Sequence, residues 1–136
     1  MKIFIACSKH HYHKVNEVKE KLEHSGHIIT IPYSFDDPMA ELRLLETDKK
    51  AHIEWVAKAW DDSEERIKEN DAMLILNINK NGKENYIGGA TFTEMFMAYR
   101  MKKKIFLFND IPECILSDEI KGMNPTIING NLDLIN

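Results

Sequence analysis

The chain has 136 residues, 43% of them hydrophobic, which is length for one domain built on one core and no surplus for a second. Lysine and arginine number 18 against 22 aspartates and glutamates, so the electrostatic footprint of a protein that wraps a nucleic-acid polymer is missing and a small ligand is the expected partner. The two cysteines, Cys7 and Cys114, lie far apart with no CxxC spacing, so the pattern suggests neither a disulfide framework nor a metal knuckle and fits a reducing, cytoplasmic location. The opening residues are too short in apolar run for a signal-peptide core, and no stretch approaches membrane-spanning length.

Ile3 to Ala6 is a continuous apolar run, the pattern of a strand buried on both faces. Tyr12 to His24 places Val15, Val18 and Leu22 at helical spacing, and Ser25-Gly26 supplies the stop. His27 to Ile31 reads as a second strand closed by Pro32, followed by a loop from Tyr33 to Pro38. Met39 to Leu45 is a candidate short helix within a segment, Met39 to Lys50, that reads as a connection. A long helix is expected from about Lys49 to Asn70, with a break possible at Asp61-Asp62-Ser63. Met73 to Leu76 is a third strand, Asn77 to Gly89 a polar loop, and Ile105 to Phe108 a fourth strand behind another helix. A short helix from Glu113 to Lys121 and a short strand from Pro125 to Ile128 complete the pattern. Strands alternating with helices imply an α/β fold, a doubly wound, flavodoxin-like parallel sheet of about five strands with helices on both faces. In such sheets the ligand crevice opens beyond the carboxyl ends of the strands, where the strand order reverses.

The segment from Asn85 to Glu94 draws attention because a Gly88-Gly89 loop opens a helix carrying a lone carboxylate among Phe, Met, Ala and Tyr. Thr91-x-x-Glu94 fits a capping box, which would make Glu94 a structural residue. The alternative follows from the rest of the helix. Phe92, Met95, Phe96 and Tyr99 form one apolar stripe, and Met97, Ala98 and Met101 form another beside Glu94, so both sides are expected to be covered, one by the sheet and the other by another element or a second subunit. A carboxylate at the rim of such a surface is placed to act as nucleophile or base. After the first strand, Ser8, Lys9 and His10 form either a solvated cationic loop or a helix N-terminus that favours an anion such as a phosphate. His10, His11 and His13 are too closely spaced to converge on one ion, so neither a metal nor another cofactor is expected. Asp61 and Asp62 offer either a second carboxylate or a wetted helix face, and Cys7, Trp55 and Trp60 read as core or interface residues.

These residues together resemble the nucleoside 2-deoxyribosyltransferase superfamily, which includes deoxynucleoside monophosphate N-glycosidases. The specific part is the motif G-T-x-x-E-x-G-x-A, read here as Ala90-Thr91-Phe92-Thr93-Glu94-Met95-Phe96-Met97-Ala98. The resemblance implies that Glu94 is a nucleophile attacking the anomeric carbon of a nucleoside or nucleotide, with Ser8, Lys9, His10, Asn77, Gly88, Gly89 and Thr91 around the substrate. It also implies a homo-oligomer with sites shared between subunits. Three departures stand out. Ala90 and Phe96 replace the two glycines, the loop from Asn79 to Gly89 is long, and the family's second acid aligns with Ser63. Either a local shift brings the adjacent Asp62 into the site or that acid is missing. A nucleotide-binding or sensing module of the same fold, in which Glu94 only caps its helix, is the competing reading.

Overall fold

The computed structural model describes residues 1–32 and 34–136. Five strands form one parallel sheet: β1 (Lys2–Ala6), β2 (Ile28–Thr30), β3 (Ala72–Ile75), β4 (Lys104–Leu107) and β5 (Thr126–Ile127), in the order β2-β1-β3-β4-β5. Among the described residues the α-helices are α1 (Val15–His24), α2 (Ala40–Thr47), α3 (Lys49–Glu69), α4 (Gly89–Arg100) and α5 (Ser117–Gly122). This is the doubly wound, flavodoxin-like order expected from the sequence, and it reverses between β1 and β3.

The apolar runs are continuous because both faces of each central strand are covered. Ile3 and Ile5 of β1 point to the face packed by Val15, Val18 and Leu22 of α1, together with Leu74 and Phe106. Phe4 and Ala6 point the other way, against Ile67 of α3, Met95 and Ala98 of α4, and Ile120 of α5. Alternation along the strand therefore divides one hydrophobic run between two cores.

The helices refine the expected pattern, and α5 starts at Ser117 rather than at Glu113. The chain from Lys9 to Lys14 forms a tight 3-10 turn, and α1 starts only at Val15. Helix α3 runs unbroken through Asp61-Asp62-Ser63, started by the Asp48 side chain accepting from the Ala51 N–H at 3.1 Å. Helix α4 starts at Gly89 with Gly88 as its cap, so Thr91 and Glu94 lie inside the helix and the capping box does not form. Thr91, Met95 and Ala98 make the buried line of α4, which draws one member from each expected stripe. Phe96 and Tyr99 remain 50% and 44% exposed, with ring centroids 6.4 Å apart. The expected loop from Tyr33 to Pro38 begins at a residue outside those described.

Asn77 follows β3 and is fully buried. Its amide group donates to the carbonyls of Asn109 (3.0 Å) and Asp110 (2.9 Å), and its Oδ1 accepts from the Asn109 N–H at 2.8 Å. Asn109 Nδ2 in turn donates to the Asn77 carbonyl at 3.1 Å. The pair fastens the chain leaving β3 to the chain leaving β4. Asn77→Ala strips partners from buried backbone groups, so a loss of about 2–3 kcal/mol in urea-unfolding stability is expected. A loss below about 0.5 kcal/mol would show that these bonds do not hold the two loops together.

Candidate active site

A cavity of about 280 Å³ opens at the carboxyl ends of β1 and β3, the point of reversal in strand order. Most of its lining comes from three segments. The end of β1 supplies Ala6, Cys7 and Ser8, the start of α4 supplies Gly88 to Thr91 and Glu94, and α3 supplies Trp55, Val56, Ala59, Trp60 and Ser63. The α3 residues share one face because positions three and four apart stack along a helix.

The loop before α4 is shaped by a short hairpin. Lys80 and Lys83 exchange backbone bonds of 3.0 and 2.9 Å around Asn81 and Gly82, both left-handed at φ 49° and 77°. That is the twist a two-residue hairpin turn requires, and an Asn-Gly pair adopts it at little cost. The hairpin delivers Lys80 and Tyr86 to the cavity, with the Lys80 ammonium 4.7 Å from the Tyr86 ring centroid and 3.4 Å from the Ser8 hydroxyl. Gly88 lies close under the Tyr86 ring. A Cβ there would lie 3.2 Å from the Tyr86 hydroxyl, whereas one at Gly89 would meet nothing within 4 Å.

Glu94 is the ionisable centre. Burial pushes its carboxyl up to about 7, a hydrogen bond from Ser63 opposes the rise, and the charge of Asp62 adds to it. Burial, reinforced by Glu94, pushes the Cys7 thiol up to about 12, so the neighbour of Glu94 is a neutral thiol and not a thiolate. Tyr12 is likewise pushed up to about 12 by burial while its hydroxyl pairs with Ser34 at 2.7 Å.

Of the residues singled out from the sequence, Ser8, Lys9, His10, Gly88, Gly89, Thr91 and Glu94 line the cavity together. Asp62 and Asn77 do not. The Asp62 carboxylate is held by Arg66 Nε one turn on, and Arg66 also donates to the Ile31 carbonyl at 2.9 Å. Ser63, one residue further round the helix, is the side chain that faces Glu94. Lys9 pairs with Glu41 of α2 at 3.3 Å, and His52 of α3 binds the other oxygen of that carboxylate at 3.3 Å. His10 is exposed at the rim. His11 turns away to the Asn79 carbonyl at 3.1 Å, and burial lowers its pKa.

Glu41 and Lys80 escaped sequence reading as lining residues, Ser63 was noted only as the position aligned with the family's second acid, and Trp55 and Trp60 were read as core or interface. The spacing 56, 59, 60, 63 and 67 was a usable signal, because it marks one face of α3 running from the core into the crevice. Nothing in the local sequence of α2 marks Glu41.

Fold and crevice define a flavodoxin-like α/β protein with a desolvated carboxylate at the switch point of its sheet. No family model matches the chain, and no curated protein sequence does. Among solved structures it is similar to the CMP N-glycosidase BcmB of Clostridium botulinum, at 16% identity, covering 93% of this chain and 85% of that one with a TM-score of 0.53. BcmB is a nucleoside 2-deoxyribosyltransferase-like protein, so the fold implied by the sequence resemblance is the fold adopted. No helix among the described residues is long and apolar enough to cross a membrane.

The raised carboxyl has a thermodynamic signature. Folded Glu94 holds its proton to about pH 7 whereas the unfolded chain releases it near the ordinary value of 4.5. The native state therefore binds more protons across that window, and stability falls as pH rises through it. Glu94→Gln removes the penalty. The variant is expected to match the native protein at pH 4 and to exceed it at pH 8 by up to about 3 kcal/mol in chemical denaturation. Equal stability of the two proteins at pH 8 would refute the desolvated carboxylate.

Proposed function

We propose that this chain cleaves or transfers the N-glycosidic bond of a nucleoside or nucleotide, with Glu94 as the nucleophile. What carries the reading is the Glu94 carboxyl, raised to about 7 in a cavity at the switch point of the sheet, in a fold shared with an N-glycosidase. A capping role does not compete, since Gly88 caps α4.

In this reading the ionised Glu94 attacks the anomeric carbon. The bond from that carbon to the base nitrogen breaks, and its electron pair leaves with the base, which takes a proton from water. The glycosyl ester on Glu94 is then resolved by water or by a second base. The Ser63 hydroxyl orients the carboxylate, and Asp62, tied to Arg66, acts on Glu94 through its charge rather than on the departing base. Ser8, Lys9, His10, Gly88, Gly89 and Thr91 surround the substrate, and Asn77 acts at a distance by fixing the loops behind the cavity. The chain forms a homo-oligomer through the exposed Phe96–Tyr99 surface of α4 and works in the cytoplasm, where Cys7 and Cys114 stay reduced.

The test is a panel of deoxynucleosides and their monophosphates, with free base measured by chromatography. Base release by the native protein and a fall of at least about a thousandfold in Glu94→Gln are expected, since the amide is no nucleophile. Nucleotide binding without any base release would instead identify a sensing module. Because only the carboxylate attacks, kcat/KM is expected to climb through about pH 7 and then level off. Asp62→Asn removes a contribution that raises the Glu94 pKa, so its ascending limb moves to lower pH; an unmoved limb argues against Glu94 as the titrating group.

Light scattering checks the assembly. A particle of at least twice the chain mass is expected, and Tyr99→Glu should shift it to the monomer by placing a charge in the apolar contact. A native monomer at micromolar concentration would sink the oligomer.

A further inference from the structure

The chain leaving β3 closes on itself before it reaches α4. Asn79 Oδ1 accepts from the Asn85 N–H at 3.0 Å, the Tyr86 N–H donates to the Ile78 carbonyl at 3.2 Å, and Lys80 and Lys83 pair inside those bonds. A hairpin bonded in this way keeps its own shape, and its ties to the rest of the chain decide where it sits. Among the described residues two hydrogen bonds join it to the segment after β1. The Lys80 ammonium reaches the Ser8 hydroxyl at 3.4 Å, and His11 Nε2 meets the Asn79 backbone carbonyl at 3.1 Å. The second is the firmer tie, because it runs from a buried ring to backbone, whereas the first ends on a long side chain with many rotamers.

His11 is 6% exposed, and its Nδ1 is the one buried side-chain polar atom without a hydrogen-bond partner among the described residues. A carbonyl can only accept, so Nε2 carries the proton and Nδ1 is a bare acceptor in the neutral ring. Protonation would set a second N–H at Nδ1 with nothing to receive it. The titratable groups that act on the ring are His13 and His10 of its own segment and Lys80 of the hairpin, so a charge on His11 meets only like charge. Burial first, and those groups after it, hold the ring below its ordinary value of 6.5, against the Asn79 carbonyl, which favours the charged form. The fastening is therefore made by the neutral imidazole and is weakened when the ring takes up a proton.

We propose that His11, as the neutral imidazole, is a positioning residue that fastens the hairpin to the segment after β1 and thereby holds Lys80 in the cavity. Its effect on turnover rests on the N-glycosidic reading of the same site; the placement of the hairpin does not. Lys80 follows Asn79 directly, so its backbone moves with the carbonyl that His11 holds, and its side chain lines the cavity with no carboxylate partner among the described residues. Glu94 is seated separately, on a helix anchored by Thr91, Met95 and Ala98. Release of the hairpin thus withdraws a cation from the substrate and leaves the nucleophile in place, so binding suffers more than the chemical step.

Amide hydrogen exchange tests the fastening without any substrate. In His11→Ala the amides of Lys80, Lys83 and Tyr86, which the hairpin bonds protect, are expected to exchange at least about tenfold faster than in the native protein, while those of β1 and β3 change by less than about twofold. His11→Gln, whose side-chain amide donates as Nε2 does and never takes a charge, should restore the native rate. Unchanged exchange in His11→Ala overturns the proposal. Should that variant fail to fold, as judged by circular dichroism, His11→Phe keeps a ring, lacks the donor and carries the same expectation.

Turnover of the deoxynucleotide panel tests the route through Lys80. His11→Ala is expected to raise KM at least about fivefold with kcat within about twofold, and to add less than about twofold in KM when Lys80 is already replaced in Lys80→Ala, because both substitutions withdraw one ammonium. Effects on KM that multiply in the double variant overturn that route. The ratio of kcat/KM in His11→Gln to that in the native protein cancels the titrations of Glu94 and of the substrate, so it should stay level above about pH 7 and climb as the pH drops below 6.5. A ratio level down to about pH 4.5 overturns the requirement for the neutral ring. If the native protein releases no base, the N-glycosidic reading fails by itself while exchange still decides the fastening. The KM comparisons are then made as calorimetric Kd values for the same nucleotides, where equal Kd in native protein and His11→Ala, or no binding at all, overturns the link to the cavity.

Discussion

Everything at the crevice depends on one constraint: a carboxylate held out of water at the end of a parallel sheet. Taking Glu94 out of solvent costs free energy, and the cost shows as a proton retained to about pH 7. Ser63 recovers part of that cost with a hydrogen bond to the charged form, while Asp62 adds to it with like charge. Arg66 pins Asp62 by its carboxylate, so the repulsion acts from a fixed place. The resulting group is divided between acid and carboxylate near neutral pH, which is the condition a nucleophile or base of this type needs. A fold gains nothing in stability from such a group.

The fold was legible in the sequence because the strands are buried on both faces. Ile3 to Ala6 and Met73 to Leu76 read as unbroken apolar runs, and only helices on both sides can bury such runs. Glu94 was legible for a related reason, as a charge in a helix otherwise apolar. The start of α4 was not. Thr91-x-x-Glu94 has the form of a cap, yet Gly88 and Gly89 extend the helix backward, and Thr93 bonds the Gly89 carbonyl at 2.8 Å. The two glycines carry the helix start ahead of the residue whose side chain has the form of a cap.

Residues meeting across long sequence separations were the least legible part of the site. Ser63 and Asp62 differ by one position, so they point about 100° apart on α3, and only the packing of α3 against α4 decides which of them reaches Glu94. Packing selected the smaller and uncharged one. Glu41 lies in a helix with no buried residue and little internal pattern, and its position is set by partners on two other segments, Lys9 and His52. Sequence periodicity reports which face of a helix is apolar; it carries no information about which distant cation a surface acid will meet.

The two glycines missing from the motif can be judged on the same physical terms. A glycine matters where a side chain would crowd a neighbour, and at position 88 a Cβ would press on the Tyr86 hydroxyl at 3.2 Å. Position 90 is exposed and lines the cavity, so the methyl of Ala90 fits without displacing α4. Position 96 is on the outer face of α4, where half of the Phe96 side chain remains exposed and its ring lies beside Tyr99. Neither replacement reaches the line of Thr91, Met95 and Ala98 that seats the helix on the sheet. The departures therefore alter the surface and the mouth of the cavity while leaving the placement of Glu94 to the buried residues that determine it.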